Sequence, residues 1–132
     1  MNHVRPKVGV SKCLEFDACR YNGTMISNDL VRDLKPFVDF IPVCPEVEIG
    51  LGTPRPTIVL QAEGINDKIE FYQPDTDRIY TSEVEKLAFD FVNDNPFIDG
   101  YIFKSKSPSC GLKGIKVFHK QSKMALMASK GV

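Results

Sequence analysis

Apolar residues along the chain come in short blocks, cut apart by glycine, proline and polar turns. That spacing predicts alternating buried strands and helices. Residues 7–11, with Val8 and Val10, read as a first strand. Ser27 is placed to cap a helix running to Leu34 or Lys35, with Leu30, Val31 and Leu34 at helical spacing and Pro36 as its stop. Residues 38–43 are almost continuously apolar, as a strand buried in a parallel sheet should be. Strand, helix and strand of this length make a βαβ unit with a right-handed crossover. Residues 44–56 hold two glycines and three prolines, which predicts a shaped loop rather than a helix or a linker. Residues 57–62 and 68–72 read as a hairpin decorating the sheet. Residues 81–93 are the clearest helix, capped by Thr81, with Val84, Leu87, Ala88, Phe91 and Val92 on one apolar face. A third strand is expected over 100–104 and a last short one over 115–119, and the pattern fades from Gln121. This order predicts a small three-layer, Rossmann-like α/β domain: a mostly parallel sheet with an inserted β-hairpin.

Three of the expected strands run out into a cysteine. Val8-Gly9-Val10-Ser11-Lys12 leads to Cys13, residues 38–43 lead to Cys44, and the third strand leads through Ser107-Pro108-Ser109 to Cys110-Gly111. In open parallel sheets, ligands bind outside the carboxyl ends of the strands. Three thiols at such ends are therefore expected to meet at one edge of the sheet.

Composition narrows the chemistry. At 132 residues the chain is expected to be one domain, and 42% hydrophobic residues are enough for a core. Its 17 basic and 17 acidic residues cancel, so no global field draws it to nucleic acid or to a membrane. The apolar runs are far too short for a membrane span, and the first seven residues have no signal-peptide core. A cytoplasmic location is the expectation. Four cysteines in that compartment point to ligands or catalysts rather than disulfides. They contain no C-x-x-C pair, which argues against a zinc ribbon or a thioredoxin-type motif, and His3 and His119 match no metal spacing.

Soft thiolates select iron–sulfur clusters, zinc or Cu(I). A cubane cluster usually takes four cysteines, so three ligands leave one iron open to a soft substrate donor. Glu46, two residues after Cys44, is placed to move protons, and Ser11, Ser107 and Ser109 lie beside the sulfurs. Cys19, six residues after Cys13, can instead complete a closed four-thiol site. Each thiol taken singly also has a plain reading as a small buried hydrophobe. Arg55 can simply bond loop carbonyls, Arg20 and Tyr21 can pin their turn, and Lys104 and Lys106 read as solvated.

Three segments together carry a resemblance. They are Val8-Gly9-Val10-Ser11-Lys12-Cys13-Leu14 with Arg20-Tyr21-Asn22-Gly23, then Val43-Cys44-Pro45-Glu46 with Gly50-Leu51-Gly52-Thr53-Pro54-Arg55, and last Phe103-Lys104 with Ser107-Pro108-Ser109-Cys110-Gly111. In this order they resemble the TudS-like thiouracil desulfidase family. The resemblance implies a [4Fe-4S] cluster held by Cys13, Cys44 and Cys110, with an open iron that binds the sulfur of a small thiolated base or nucleoside. It implies Glu46 as the proton-transfer group, helped by Ser109 and Ser11, and release of the oxo product and hydrosulfide. The Cys-Leu-Glu-Phe-Asp-Ala-Cys-Arg-Tyr form is more similar to relatives in which this domain precedes a fused C-terminal domain. A single domain over 1–132, cut from a longer chain or naturally short, is therefore the expectation. Cys19 departs from the three-thiol pattern. Two rival readings remain: a regulatory module that binds a metal or cluster without catalysis, and a metal-free thiol enzyme.

Overall fold

The protein is described by a computed structural model covering residues 4–111 and 115–129. His3 and the Gly131-Val132 end lie outside the described residues. Two sheets form. The first has three parallel strands, with β1 (Lys7–Ser11) between β2 (Asp39–Val43) and β6 (Gly100–Ile102). The second has five strands in the order β5 (Arg78–Ile79), β4 (Glu70–Gln73), β3 (Val59–Ala62), β7 (Ile115–His119) and β8 (Ala125–Ser129). The helices are α1 (Asp29–Leu34), α2 (Pro45–Glu48) and α3 (Thr81–Asp94).

The α/β class stands. The expected hairpin, β3 with β4, is present and antiparallel, with Leu60 opposite Phe71. It does not merely decorate the parallel sheet, however. β3 also pairs in parallel with β7, so the hairpin is the centre of a second, mixed sheet. Its core is Ile58, Leu60, Ala62, Phe71, Val84, Ile115 and Val117. β8 was not expected; its Leu126 and Met127 pack on that core, across a bulge at Val117/Phe118. One bulge of this kind blurs the two-residue alternation that marks a strand in sequence.

Helix boundaries moved for local reasons. α1 is capped by Asn28, not Ser27: the Asn28 side chain accepts the Val31 N–H at 2.9 Å, and Asn is as good a cap as Ser. Thr81 does not cap α3. Its Oγ1 accepts the Phe71 N–H at 2.9 Å, which stitches the first turn of the helix to β4. Val84 of α3 is buried and Leu87 and Phe91 are half-buried, but Ala88 and Val92, expected on the same face, are exposed. Within 44–56, where no helix was expected, Pro45 opens the single turn of α2. Pro45 supplies a helical φ at the first position, and Glu46 and Glu48 complement the amino-terminal dipole. Gly50, at φ 96°, ends it. No described helix is long and apolar enough to cross a membrane.

Candidate active site

The parallel sheet explains how distant cysteines meet. Ser11 lies beside Val43 across the ladder and Val10 beside Ile102, so the three strands end level with one another. The Lys12 N–H donates to the Val43 carbonyl at 2.9 Å, and the Lys104 N–H donates to Ser11 Oγ at 2.8 Å. These bonds extend the sheet by one residue and aim all three loops the same way.

Each loop then fixes its thiol. Cys13 sits in a bridge: its carbonyl accepts the Ile26 N–H at 2.7 Å, and the next residue, Leu14, pairs with Ile26. The Arg20–Gly23 turn follows, closed by the Gly23 N–H on the Arg20 carbonyl at 2.8 Å, with Gly23 at φ 76° as Asn22-Gly23 predicts. Cys44 occupies the position before α2. Cys110 ends the tight 107–111 turn. There the Gly111 N–H donates to the Ser107 carbonyl at 2.8 Å, and a Cβ on Gly111 would lie 2.8 Å from that carbonyl oxygen. Only glycine lets the chain pass so close. Lys106, at φ 57°, holds an unfavourable left-handed conformation in the same loop.

The three loops enclose a cavity of about 270 Å³. Cys13, Cys44 and Cys110 all line it, as do Ser11, Ser109 and Glu46, so every residue proposed for the site from sequence reaches one cavity. Cys19 lines it too. All four cysteines are free thiols. Burial pushes the Cys13 thiol up, with neighbouring Cys44 adding and Lys104 opposing. Burial and the adjacent Cys44 push Cys19 up to about 12. Burial also raises Cys110, but the hydroxyls of Ser11, Ser109 and Ser107 pull it back down.

Arg55 does more than bond loop carbonyls. Its Nε and Nη2 both donate to Glu46 Oε2, the former at 2.9 Å, and its Nη1 donates to the Cys19 and Gly52 carbonyls at 2.8 and 3.1 Å. Both side chains are nearly inaccessible, at 4% and 11% exposure, which makes this a buried ion pair. The Arg55 N–H also donates to the Tyr21 carbonyl at 2.7 Å, tying the second loop to the first. Glu46 Oε1 has no hydrogen-bond partner among the described residues. Sequence reasoning missed this pairing; the Thr-Pro-Arg-Pro setting of Arg55, which rigidifies the loop around one cation, was the signal that could have found it. Lys12, Arg20, Lys104 and Lys106 also line the cavity and form no salt bridge among the described residues; Lys106 is exposed, and the Lys104 ammonium donates to the Ser105 carbonyl at 2.8 Å.

Among the described residues, no three Cys, His, Asp or Glu side chains gather closely enough to bind a single metal ion. The four thiols line one cavity, and soft sulfur donors of this kind are the ones that iron–sulfur clusters take.

Fold and cavity thus define an α/β domain with a thiol-lined pocket at the carboxyl ends of parallel strands. The chain belongs to the 2-thiouracil desulfurase family, which matches it over residues 8–132. The family expected from the three cysteine motifs is the one found, and it is a family of desulfidases. The chain is 31% identical over 111 residues to the uncharacterized protein YbbK of Bacillus subtilis (strain 168), covering 77% of this chain and 71% of that protein. Its fold is similar to that of TudS, a [4Fe-4S]-dependent thiouracil desulfidase. The TM-score is 0.70 and the identity 28%, over 96% of this chain and 81% of that one.

Proposed function

We propose that this chain removes sulfur from a small thiolated nucleobase or nucleoside of the 2-thiouracil kind, using a [4Fe-4S] cluster held by Cys13, Cys44 and Cys110. The observation that carries the proposal is the approach of these three thiols, from three parallel strand ends, to one cavity that also holds an anchored carboxylate. When bound, the cluster supplies an iron with no protein sulfur on it, a soft Lewis acid for the substrate's sulfur. The family match and the likeness to TudS support the same reading.

The chain's own groups do the rest. Arg55 grips one oxygen of Glu46, so the carboxylate is held in place while Oε1 stays available. Glu46 accepts a proton from water as its oxygen adds to the thiocarbonyl carbon, and returns it as the carbon–sulfur bond breaks. Carbon exchanges sulfur for oxygen, sulfur leaves as hydrosulfide, and no net electrons move. Ser109 and Ser11 assist from the cavity wall. Val43, Ile58 and Pro108 give the cavity an apolar wall suited to a planar base. Four free thiols suit a reducing compartment, in keeping with a cytoplasmic enzyme.

Cys19 favours a second reading, in which a fourth sulfur closes the site and leaves a regulatory module without catalysis. Its full burial in the core of the first sheet, with Val10, Leu14 and Val31, supports a packed, non-ligating thiol and hence the open site. Anaerobic reconstitution separates the two. The open site predicts about four irons and four sulfides per chain, with 2-thiouracil turnover that is lost in C13S, C44S and C110S and kept in C19S. Turnover retained by Cys44→Ser would sink the proposal. Loss of the cluster in C19S would favour the closed module.

A further inference from the structure

The three proposed ligands do not have equal surroundings. Around Cys110 the hydroxyls form a directed network. Ser11 Oγ accepts the Lys104 N–H at 2.8 Å, and Ser107 Oγ accepts the Cys110 N–H at 3.1 Å. A hydroxyl whose oxygen already accepts a backbone N–H still has one proton to give. Ser107 and Ser109 Oγ lie 3.2 Å apart, and Ser109 Oγ donates to Cys110 Sγ at 3.7 Å. Cys110 therefore receives a hydroxyl proton from its own turn, along the line Ser107–Ser109–Cys110.

Cys13 and Cys44 have no such donors. Among the described residues neither sulfur accepts from a hydroxyl, and Cys44 Sγ faces an acceptor, the Cys19 carbonyl, at 3.8 Å. Hydrogen bonds to a ligating sulfur draw charge from it and stabilise the reduced state of a cluster. Unequal hydrogen bonding thus makes one ligand weaker than the other two.

Resting on the cluster reading above, we propose that Ser109 is a positioning residue that holds the Cys110 sulfur, makes Cys110 the electronically distinct ligand, and holds the cluster's reduction potential up. This gives Ser109 a role on the ligand beside the one proposed for it in proton transfer. Ser109 is committed by the turn that Gly111 allows and by its bond to Ser107.

The test uses the anaerobically reconstituted full chain and its S109A and S109T variants, with S105A as an exposed control from the same loop. Iron and sulfide are counted first, and the midpoint potential is then measured by spectroelectrochemistry. The expected result is a negative shift of the potential in S109A, recovery in S109T, and no shift in S105A. Equal potentials across variants that carry full clusters would overturn the proposal and leave the desulfidase reading intact. A wild-type chain that takes up no iron would overturn both. If an alanine variant does not assemble, resonance Raman on the wild type decides: the Fe–S(Cys) bands shift on exchange into D₂O if exchangeable protons bond the ligand sulfur, and an unmoved spectrum counts against it.

Discussion

The two sheets of this protein are built on opposite rules. The three-stranded sheet is parallel and level-ended, and its loops carry nearly all of the chemistry. Its core includes Val10, Leu14 and Val31, but also Cys13 and Cys19, so packing and the thiol site share residues. The five-stranded sheet is mixed, and its core of Ile58, Leu60, Ala62, Phe71, Val84, Ile115 and Val117 is wholly apolar. It lends the cavity little beyond Ile58. One sheet aims side chains, and the other supplies apolar burial, with Gln61, Gln73 and Thr81 as buried polar side chains that are each hydrogen-bonded. Substitutions should therefore separate function from stability according to the sheet they strike.

The sharpest contrast comes from Cys44→Ser in the first sheet's second loop. It should abolish bound iron and turnover, while thermal unfolding of the cluster-free protein shifts by about 1 kcal/mol or less, because Cys44 is only half-buried. Unfolding of that variant together with loss of iron would blur the division between the sheets. Next in size, Glu46→Gln should keep the cluster, read by its visible absorption, and slow turnover by about 10²–10⁴-fold. Phe71→Ala, in the second core, should destabilise by about 3–5 kcal/mol in urea titration, yet leave turnover per folded molecule unchanged. Arg55→Ala tests the seam between the two behaviours. It strands a buried carboxylate and should cost about 3–5 kcal/mol as well as activity.

The smallest effect belongs to the rim of the second sheet. Lys120 donates to Glu70 at 2.6 Å, and this bond raises its pKa above the ordinary lysine value of 10.5. Below that value the ammonium is intact in folded and unfolded chains alike, and its contribution is fully present. As pH climbs from the unfolded pKa through the raised folded one, the unfolded chain loses its proton first and the contribution is lost. Lys120→Gln should therefore lower stability slightly across the neutral region, where the contribution is present, and flatten the alkaline fall of the stability–pH curve. A large change at pH 7 would show that this half-buried pair matters more than surface pairs usually do.

The site was easier to read in sequence than much of the fold, and particular residues show why. Cys13, Cys44 and Cys110 each follow a short apolar strand, and glycine, proline or serine beside them mark the loops. Those signals are local. Parallel strands in one sheet also end on the same side, so order along the chain already implied convergence. Ser27 and Asn28 are adjacent good caps, and only the backbone path decides which oxygen meets the Val31 N–H. Thr81 looked like a cap but serves β4 instead, a partner ten residues away. The α2 turn lay hidden in a run of glycines and prolines, because Pro45 is helix-compatible only in the first turn.

By itself, then, the sequence determined the α/β class, the first sheet's strands, the long helix, the three cysteine motifs and the family they define. Each of these is written in neighbouring residues, as periodicity, turn chemistry or motif. Only the tertiary structure decided that β3 lies beside β7 and thereby closes a second sheet, that β8 adds to its edge, that Arg55 grips one oxygen of Glu46, and that the Ser11 hydroxyl at the end of β1 accepts the Lys104 N–H of the third loop. The physical reason is common to all four. Each joins groups far apart along the chain, or selects one of several equally competent local partners, and no local preference carries the information about which pair is brought within reach.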